Sequence, residues 1–393
     1  MEPAALICEY AERFAALGPD QHQVGSPLGA WLALALAATA AQGALREEIS
    51  HALGTDVESA QRLVAELLDS PHPAVAMALA AWAMPGLPGL DPWRSTLPAR
   101  VTTGAVPTRE QADAWAREQT LGMIDTFPID VRDTVIVLAS ALATRVTWLH
   151  EFDVVDSAQL RGPWSEELNQ VLHSPRHGDA PTGHDCFIVA TQRDGNVAVH
   201  SALADDDLEV TSVIAGAQVP RADVLAVAHQ IATARATSGV PPLSLFDLPL
   251  GDTALWTITE HQAAAGGEHA EAIVPAWHAG SRHDLLDVPA LAFGAAGQAL
   301  CRSAGIPGQV RAAQSAVATY SRRGFEAAAV TGLAIALSYR APPPPGPYRT
   351  ATLRFAHPYA VVAATRAPHN DPWCGVPVFA AWITRPDDAT ADN

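Results

Sequence analysis

The run Gly324-Phe325-Glu326-Ala327-Ala328-Ala329-Val330-Thr331-Gly332 decides how this 393-residue chain is read. In an extended conformation side chains alternate with period two. Phe325, Ala327, Ala329, Thr331, Leu333, Ile335 and Leu337 then share one face, and Glu326, Ala328, Val330, Gly332, Ala334, Ala336 and Ser338 share the other. Both faces are small. Such a segment can pass between two existing strands with little steric demand, yet it lacks the bulk to anchor itself elsewhere. Alanine and leucine also favour helices, so the upstream residues arbitrate. Gln314-Ser315-Ala316-Val317-Ala318-Thr319-Tyr320-Ser321 reads as a strand that runs into the polar break Arg322-Arg323-Gly324, where a loop can leave a sheet.

This string resembles the proximal hinge of the serpins, the serine protease inhibitors, whose hinge follows a Gly-x-Glu-Ala-Ala-Ala pattern. The matching positions are Gly324, Glu326, Ala327, Ala328 and Ala329. Phe355-Ala356-His357-Pro358-Tyr359 resembles the family's Phe-x-x-Pro-Phe, and Phe379 to Pro386 resembles its C-terminal Phe-Met-Gly-x-Val-x-x-Pro. The three matches fall in the family's order, which points to a divergent, bacterial-looking member.

Composition agrees with a folded chain: 49% hydrophobic and 17% charged residues, with 31 Pro and 27 Gly to make turns. No lysine occurs, and the formal net charge is −18. That balance argues against a nucleic-acid partner, because phosphate binding needs concentrated positive charge. Cys8, Cys186, Cys301 and Cys374 are scattered without CxxC spacing, so reduced thiols are expected. Met1-Glu2-Pro3 opens no secretion signal, which leads to an expected cytoplasmic location, with another export route left open. Leu28 to Ala41 is the most apolar stretch, but it is shorter than the ~20 residues that span a bilayer. It reads as a buried helix between Ser26-Pro27 and Gly43, so no membrane partner is expected.

Helices are expected at Leu6 to Leu17, from Ser26, around Leu45 to Leu53, at Leu63 to Leu68, after Thr108 and over Ala222 to Thr237, with another at Gly297 to Ala304. Strands are expected at Val75 to Met84, as one long element over Thr134 to Trp148, at Val210 to Ile214 and at Thr253 to Thr259. Phe187 to Thr191 and Val197 to His200 flank a turn and predict a hairpin. Ser26-Pro27-Leu28 resembles the entry of the serpin central helix, and is equally an ordinary serine cap. Ala112, Trp115, Thr120 and Ile124 resemble the serpin helix that lies across the main sheet. Ser140-Ala141-Leu142 and Trp148 with Phe152 resemble the family's Asn-Ala-Ile-Tyr-Phe-Lys-Gly-x-Trp-x-x-x-Phe.

The resemblance implies one domain over 1–393 in the α+β class. It has a large, mainly antiparallel central sheet, two smaller sheets, about eight or nine helices and an exposed reactive-centre loop at about 324–345. It implies inhibition of a serine protease by cleavage and loop insertion, with no catalysis, no cofactor and a monomeric protein. The alternative is a non-inhibitory scaffold that is cut as a substrate or binds a partner. The bond that is cut falls at Ser338-Tyr339, with Leu337-Ser338, Tyr339-Arg340 and Arg340-Ala341 open. Leu337 or Tyr339 before the bond suits a chymotrypsin- or subtilisin-like protease, and Arg340 a trypsin-like one. The proline run Ala341 to Pro345, with Gly346-Pro347, reads as a stiff spacer.

Two departures from the family pattern bear on function. Phe325 stands where a small residue usually leads insertion, and should need a wider opening. Beneath the sheet Ser26 is kept, but Gly29 replaces Ser, Ser140 replaces Asn and Gln314 replaces His, which is expected to remove the usual hydrogen bonds. No Gly-x-Ser-x-Gly elbow, His-Glu-x-x-His helix or phosphate loop appears. His173, His177, Asp179, His184, Asp185 and Cys186 carry metal-ligand chemistry, but their spacing fits no standard site. A solvated loop with no metal is expected there.

Overall fold

The computed structural model describes residues 2–16, 20–132, 134–175, 182–305, 311–325 and 345–390. Helix α1 (Pro3–Phe14) is followed by the short strand β1 (Gln23–Gly25) and α2 (Pro27–Ala38). All twelve residues of α2 are buried, which makes it the axis on which the other layers pack. Helices α3 (Ala44–Leu53) and α4 (Val57–Asp69) show one apolar face each, and Gly54 closes α3 in the left-handed region at φ 72°.

Strand β2 (Ala76–Ala83), the one-turn α5 (Asp91–Arg94) and β3 (Thr102–Gly104) lead to α6 (Arg109–Gln119). Thr108 and Gln111 form a reciprocal capping box at its start. Sequence periodicity extends this helix to Ile124, but it stops at Gln119. Thr120 turns its hydroxyl back to the Ala116 carbonyl at 2.7 Å, and Leu121 and Gly122 take positive φ.

The expected long strand over Thr134 to Trp148 divides into β4 (Ile136–Ala143) and β5 (Val146–Thr147), because the chain changes partners between them. Then come β6 (Asp153–Asp156), β7 (Gln170–His173), β8 (His184–Thr191), β9 (Gly195–Leu203), β10 (Leu208–Ile214) and α7 (Arg221–Thr237). Strand β11 (Gly251–Asp252) precedes β12 (Trp256–Ala263). The strand expected at Thr253 starts three residues later, since the Thr253 hydroxyl accepts from the Leu255 and Trp256 amides and donates to the Trp256 carbonyl.

Strands β13 (Gly267–Val274) and β14 (Trp277–Asp284), helix α8 (Phe293–Ala304), and strands β15 (Ala313–Tyr320) and β16 (Gly324–Phe325) follow. The last strands are β17 (Gly346–Arg354), β18 (Tyr359–Thr365) and β19 (Pro377–Ile383). Gly346 and Pro347 therefore belong to β17, not to a spacer, and pair with Ala263 and Gln262.

Two flanking sheets have six strands each, in the orders β1-β19-β18-β10-β9-β8 and β11-β12-β17-β13-β7-β6. The central layer consists of β14-β15-β16-β5 and β3-β2-β4. Most strand pairs in these layers are antiparallel. The largest core cluster gathers α1 to α4, α8 and the inner faces of all the sheets, while α7 packs on β10 and β18.

Candidate functional site

Strand β4 pairs along its whole length with β2, and β15 along its whole length with β14. Among the described residues these two strands share no register with each other, so each turns an unpaired edge toward the other. Unpaired edges are templates for strand addition. Between the strands, over α2 and α8, lies a small cleft of about 60 Å³. Ile136, Leu138 and Ser140 line it from β4, and Ala313 and Gln314 from β15. On the other face, Ala112 and Ala116 of α6 pack with Ala80, Trp82, Val137 and Ala139. Trp82, Trp115 and Phe127 meet edge to face there, at 5.1–6.1 Å between centroids.

Strand β16 closes the top of this gap. Phe325 pairs with Tyr320 of β15 on one side and Val146 of β5 on the other, while Gly324 pairs with Thr147. The Phe325 ring is buried and lies edge-on to Trp277 at 6.2 Å. Trp148 sits beside it, buried, donating its Nε1 to the Ser321 carbonyl and its amide to the Arg323 carbonyl, both at 2.9 Å. Glu326, Ala327, Ala328 and Ala329 lie outside the described residues, as do Leu337, Ser338, Tyr339 and Arg340.

At the lower part of the gap Ser26, Gly29, Ser140 and Gln314 make a hydrogen-bond set of their own. Ser26 caps α2 by accepting from the Gly29 amide at 3.0 Å, and donates its hydroxyl to the Val378 carbonyl at 2.6 Å. Gln314 grips the Ser26 backbone from both sides: Oε1 accepts from the amide at 2.8 Å and Nε2 donates to the carbonyl at 2.9 Å. Ser140 donates to the Gly29 carbonyl at 2.7 Å. The bonds of Gln314, Ser26 and Ser140 tie α2, β4, β15 and β19 at one point.

Sequence reading missed a polar chain under the closure, in which Tyr320 and His200 are buried and His184 is partly exposed. The Tyr320 hydroxyl lies 3.4 Å from His200 Nδ1, His200 Nε2 lies 3.1 Å from His184 Nδ1, and His184 Nε2 lies 2.8 Å from the His150 carbonyl. Burial pushes His184 down to about 4 and His200 well below the usual histidine range. Burial likewise raises the Tyr320 hydroxyl far above the usual tyrosine range. No local motif marks these residues, which come together only through sheet register.

The described members of the His/Asp/Cys cluster stand on strands β7 and β8, not in a solvated loop. His173 approaches Glu271 at 3.3 Å, Asp185 meets Arg235 at 2.7 Å, and Cys186 lies 3.7 Å from the Ser174 hydroxyl. His177 and Asp179 lie outside the described residues. Among the described residues no group of three or more such side chains is placed to hold a metal ion. No described helix is long and apolar enough to cross a membrane.

No curated protein matches the sequence. Solved structures match along almost its whole length. Human thyroxine-binding globulin, solved as its thyroxine complex, is 14% identical over 98% of each chain with a TM-score of 0.63. Serpin48, a highly specific serpin of the insect Tenebrio molitor, is 16% identical over 98% of each chain with a TM-score of 0.60. The thermophilic serpin Tengpin in its native state is 12% identical over 97% of this chain and 92% of its own, with a TM-score of 0.61. The model of the serpin (serine protease inhibitor) family matches residues 4–159. The chain therefore has the serpin fold, and residues 4–159 carry that family's sequence pattern.

Proposed function

We propose that the protein inhibits a serine protease as a suicide substrate. The observation that carries this reading is the pair of unpaired edges on β4 and β15. Among the described residues, Gly324 and Phe325 close the gap between them from above, at the head of the alanine run. In the proposed reaction the protease's serine oxygen attacks a carbonyl among Leu337, Ser338, Tyr339 and Arg340. The peptide nitrogen leaves as an amine, and an ester joins the two proteins. The segment between Phe325 and the ester then enters the gap as a strand and satisfies both edges. From Glu326 to Ser338 it is longer than the eight residues of β15. Because filling the gap lowers the free energy, the native state is a kinetic trap whose stored strain is released when the loop is cut. A chymotrypsin- or subtilisin-like protease fits Leu337 or Tyr339 ahead of the bond, better than a trypsin-like one.

The second reading, a non-inhibitory serpin scaffold, is favoured by the Phe325 ring, which is already buried at the closure, and by the likeness to a thyroxine-binding globulin.

The test is the melting temperature before and after a protease cuts between Leu333 and Pro342, with mass spectrometry placing the cut. A rise of tens of degrees is expected. An unchanged melting temperature overturns the inhibitor reading and leaves the scaffold.

A further inference from the structure

Strand β17 does not lie at the edge of its sheet. It runs between β12 and β13, which only Ala264, Ala265 and Gly266 separate in the chain, so consecutive strands are parted by one that comes far later. Strand β12 pairs with β17 from Gly346 to Leu353, whereas β13 starts to pair only at Tyr348. Gly346 and Pro347 therefore have β12 as their sole strand partner among the described residues.

Side chains strengthen that end. Arg349 Nε donates to Glu260 of β12 at 2.8 Å, and its Nη1 donates to the carbonyls of Leu245 and Leu248 at 2.6 and 2.9 Å. The same guanidinium lies over the Phe246 ring at 4.8 Å. Tyr348 fits between His261, at 5.5 Å between ring centroids, and Gly267, where a Cβ would come within 3.3 Å of the tyrosine ring. Strand β12 is itself fixed at its other end. The Thr257 hydroxyl accepts from Arg354 at 2.7 Å, and β11 pairs with Thr257 and Ile258.

Chain length shows what this grip opposes. From Val146, opposite Phe325, the edge that β5 and β4 offer runs down to Ile136, so a strand that leaves Phe325 and fills it descends about 33 Å. Gly346 comes twenty-one positions after Phe325. About ten of those steps are spent going down and about three on a turn, and the remaining eight reach back at most about 28 Å. The destination is also farther than the start. Strand β13 ends at Val274, just before β14 begins at Trp277, which pairs with Tyr320 at the closure. Arg354, opposite Ile273, is thus the end of β17 beside the closure, and Gly346 is the far end. An uncut chain cannot fill the gap while β17 stays whole. Each residue freed from the start of β17 lengthens the tether and shortens the way, and roughly the first four, Gly346 to Arg349, must come out of the sheet. Once the bond is cut the two ends part, and β17 can stay as it is.

We propose that β12 and the Arg349 clasp hold β17 in its sheet and so reserve the gap for a cut chain. The intact protein leaves the gap open until a protease acts, because filling it earlier would strip Gly346 to Arg349 of β12, of Glu260 and of the two loop carbonyls together. This role rests on the inhibitor reading above.

Prolonged warming of the intact protein about 10 °C below its melting temperature tests it. Samples drawn over days are shown by mass spectrometry to be uncut, then melted and exposed to subtilisin. An uncut chain that has filled its gap melts tens of degrees higher and resists cleavage between Leu333 and Pro342. The parent should yield no such form. Arg349→Ala should yield it at least about tenfold faster than the slowest conversion detectable in the parent, and Tyr348→Ala combined with Arg349→Ala faster still. Should Arg349→Ala not fold, Arg349→Met keeps the stem and removes the same bonds. Conversion of the parent at the variants' rate overturns the clasp. So do variants that stay unconverted although their cut forms melt tens of degrees higher, and that result leaves the inhibitor reading standing. If no form, cut or uncut, melts higher, the inhibitor reading falls and the clasp with it.

Discussion

Ser140 and Gly29 are bound at 2.7 Å, hydroxyl to carbonyl, and a Cβ on Gly29 would land 3.1 Å from that same hydroxyl. The small residue at 29 and the short hydroxyl at 140 are therefore one fit rather than two separate losses. Gly29→Ser would also press on Leu142 Cδ1 at 2.9 Å and Gln314 Nε2 at 3.3 Å. It should destabilise the protein by about 1–3 kcal/mol, the usual range for overpacking. Thermal melting reads the loss, and Leu142→Ala in the same chain should recover part of it.

Gln314→Leu keeps the bulk but removes both ends of the clasp on Ser26. The Ser26 carbonyl still receives the Ala30 amide, but the Ser26 amide loses its partner in a buried place. A loss of about 1–3 kcal/mol is expected, the cost of one unsatisfied buried donor. Gln314→Glu retains the acceptor and should recover that amide while burying a charge, so its deficit should grow as pH rises.

How much of this is legible in the sequence depends on the range of the interaction. The strand into Gly324, the cap at Ser26 and the helix after Thr108 are written in neighbouring residues, where alternation and capping act locally. Gln314 is legible as a substitution but not as a clasp, since its partner lies 288 residues away. The histidine chain is illegible for the same reason. His184 and His200 become neighbours through the β8–β9 hairpin, but Tyr320 reaches them from 120 residues away. The strand ends at Ala143 and Trp256 escape hydrophobic period because the choice of partner strand sets the first and a threonine turn the second.

Phe325→Thr should loosen the closure, since the ring is buried beside Trp277. Removing such a ring costs about 3 kcal/mol or more. The uncleaved protein should melt several degrees lower and, on the inhibitor reading, trap protease faster. A lower melting temperature without faster trapping would mean that opening the top of the gap does not limit insertion.

His229 gives the fold its own sensitivity to acid. It is buried on α7, its Nδ1 lacks a hydrogen-bond partner among the described residues, and burial pushes it down to about 4. A histidine depressed in the folded state contributes fully above the ordinary value of 6.5 and loses that contribution as pH falls toward 4. Over that window about 3 kcal/mol should be lost. Urea unfolding of His229→Leu against the parent isolates it: the difference between the two should shift in favour of the variant as pH drops. A constant difference would remove His229 from the account.

Strand β17 lies between β12 and β13, which follow one another in the chain, with eight register pairs on one side and seven on the other. At the opposite end, among the described residues, β16 holds by one pair to β15 and two to β5. The chain that joins them is thus moored unequally, as a line with a heavy anchor and a light one. A pull along it lets go at Gly324 and Phe325 long before Gly346, so the direction in which this protein can yield is decided before any partner touches it.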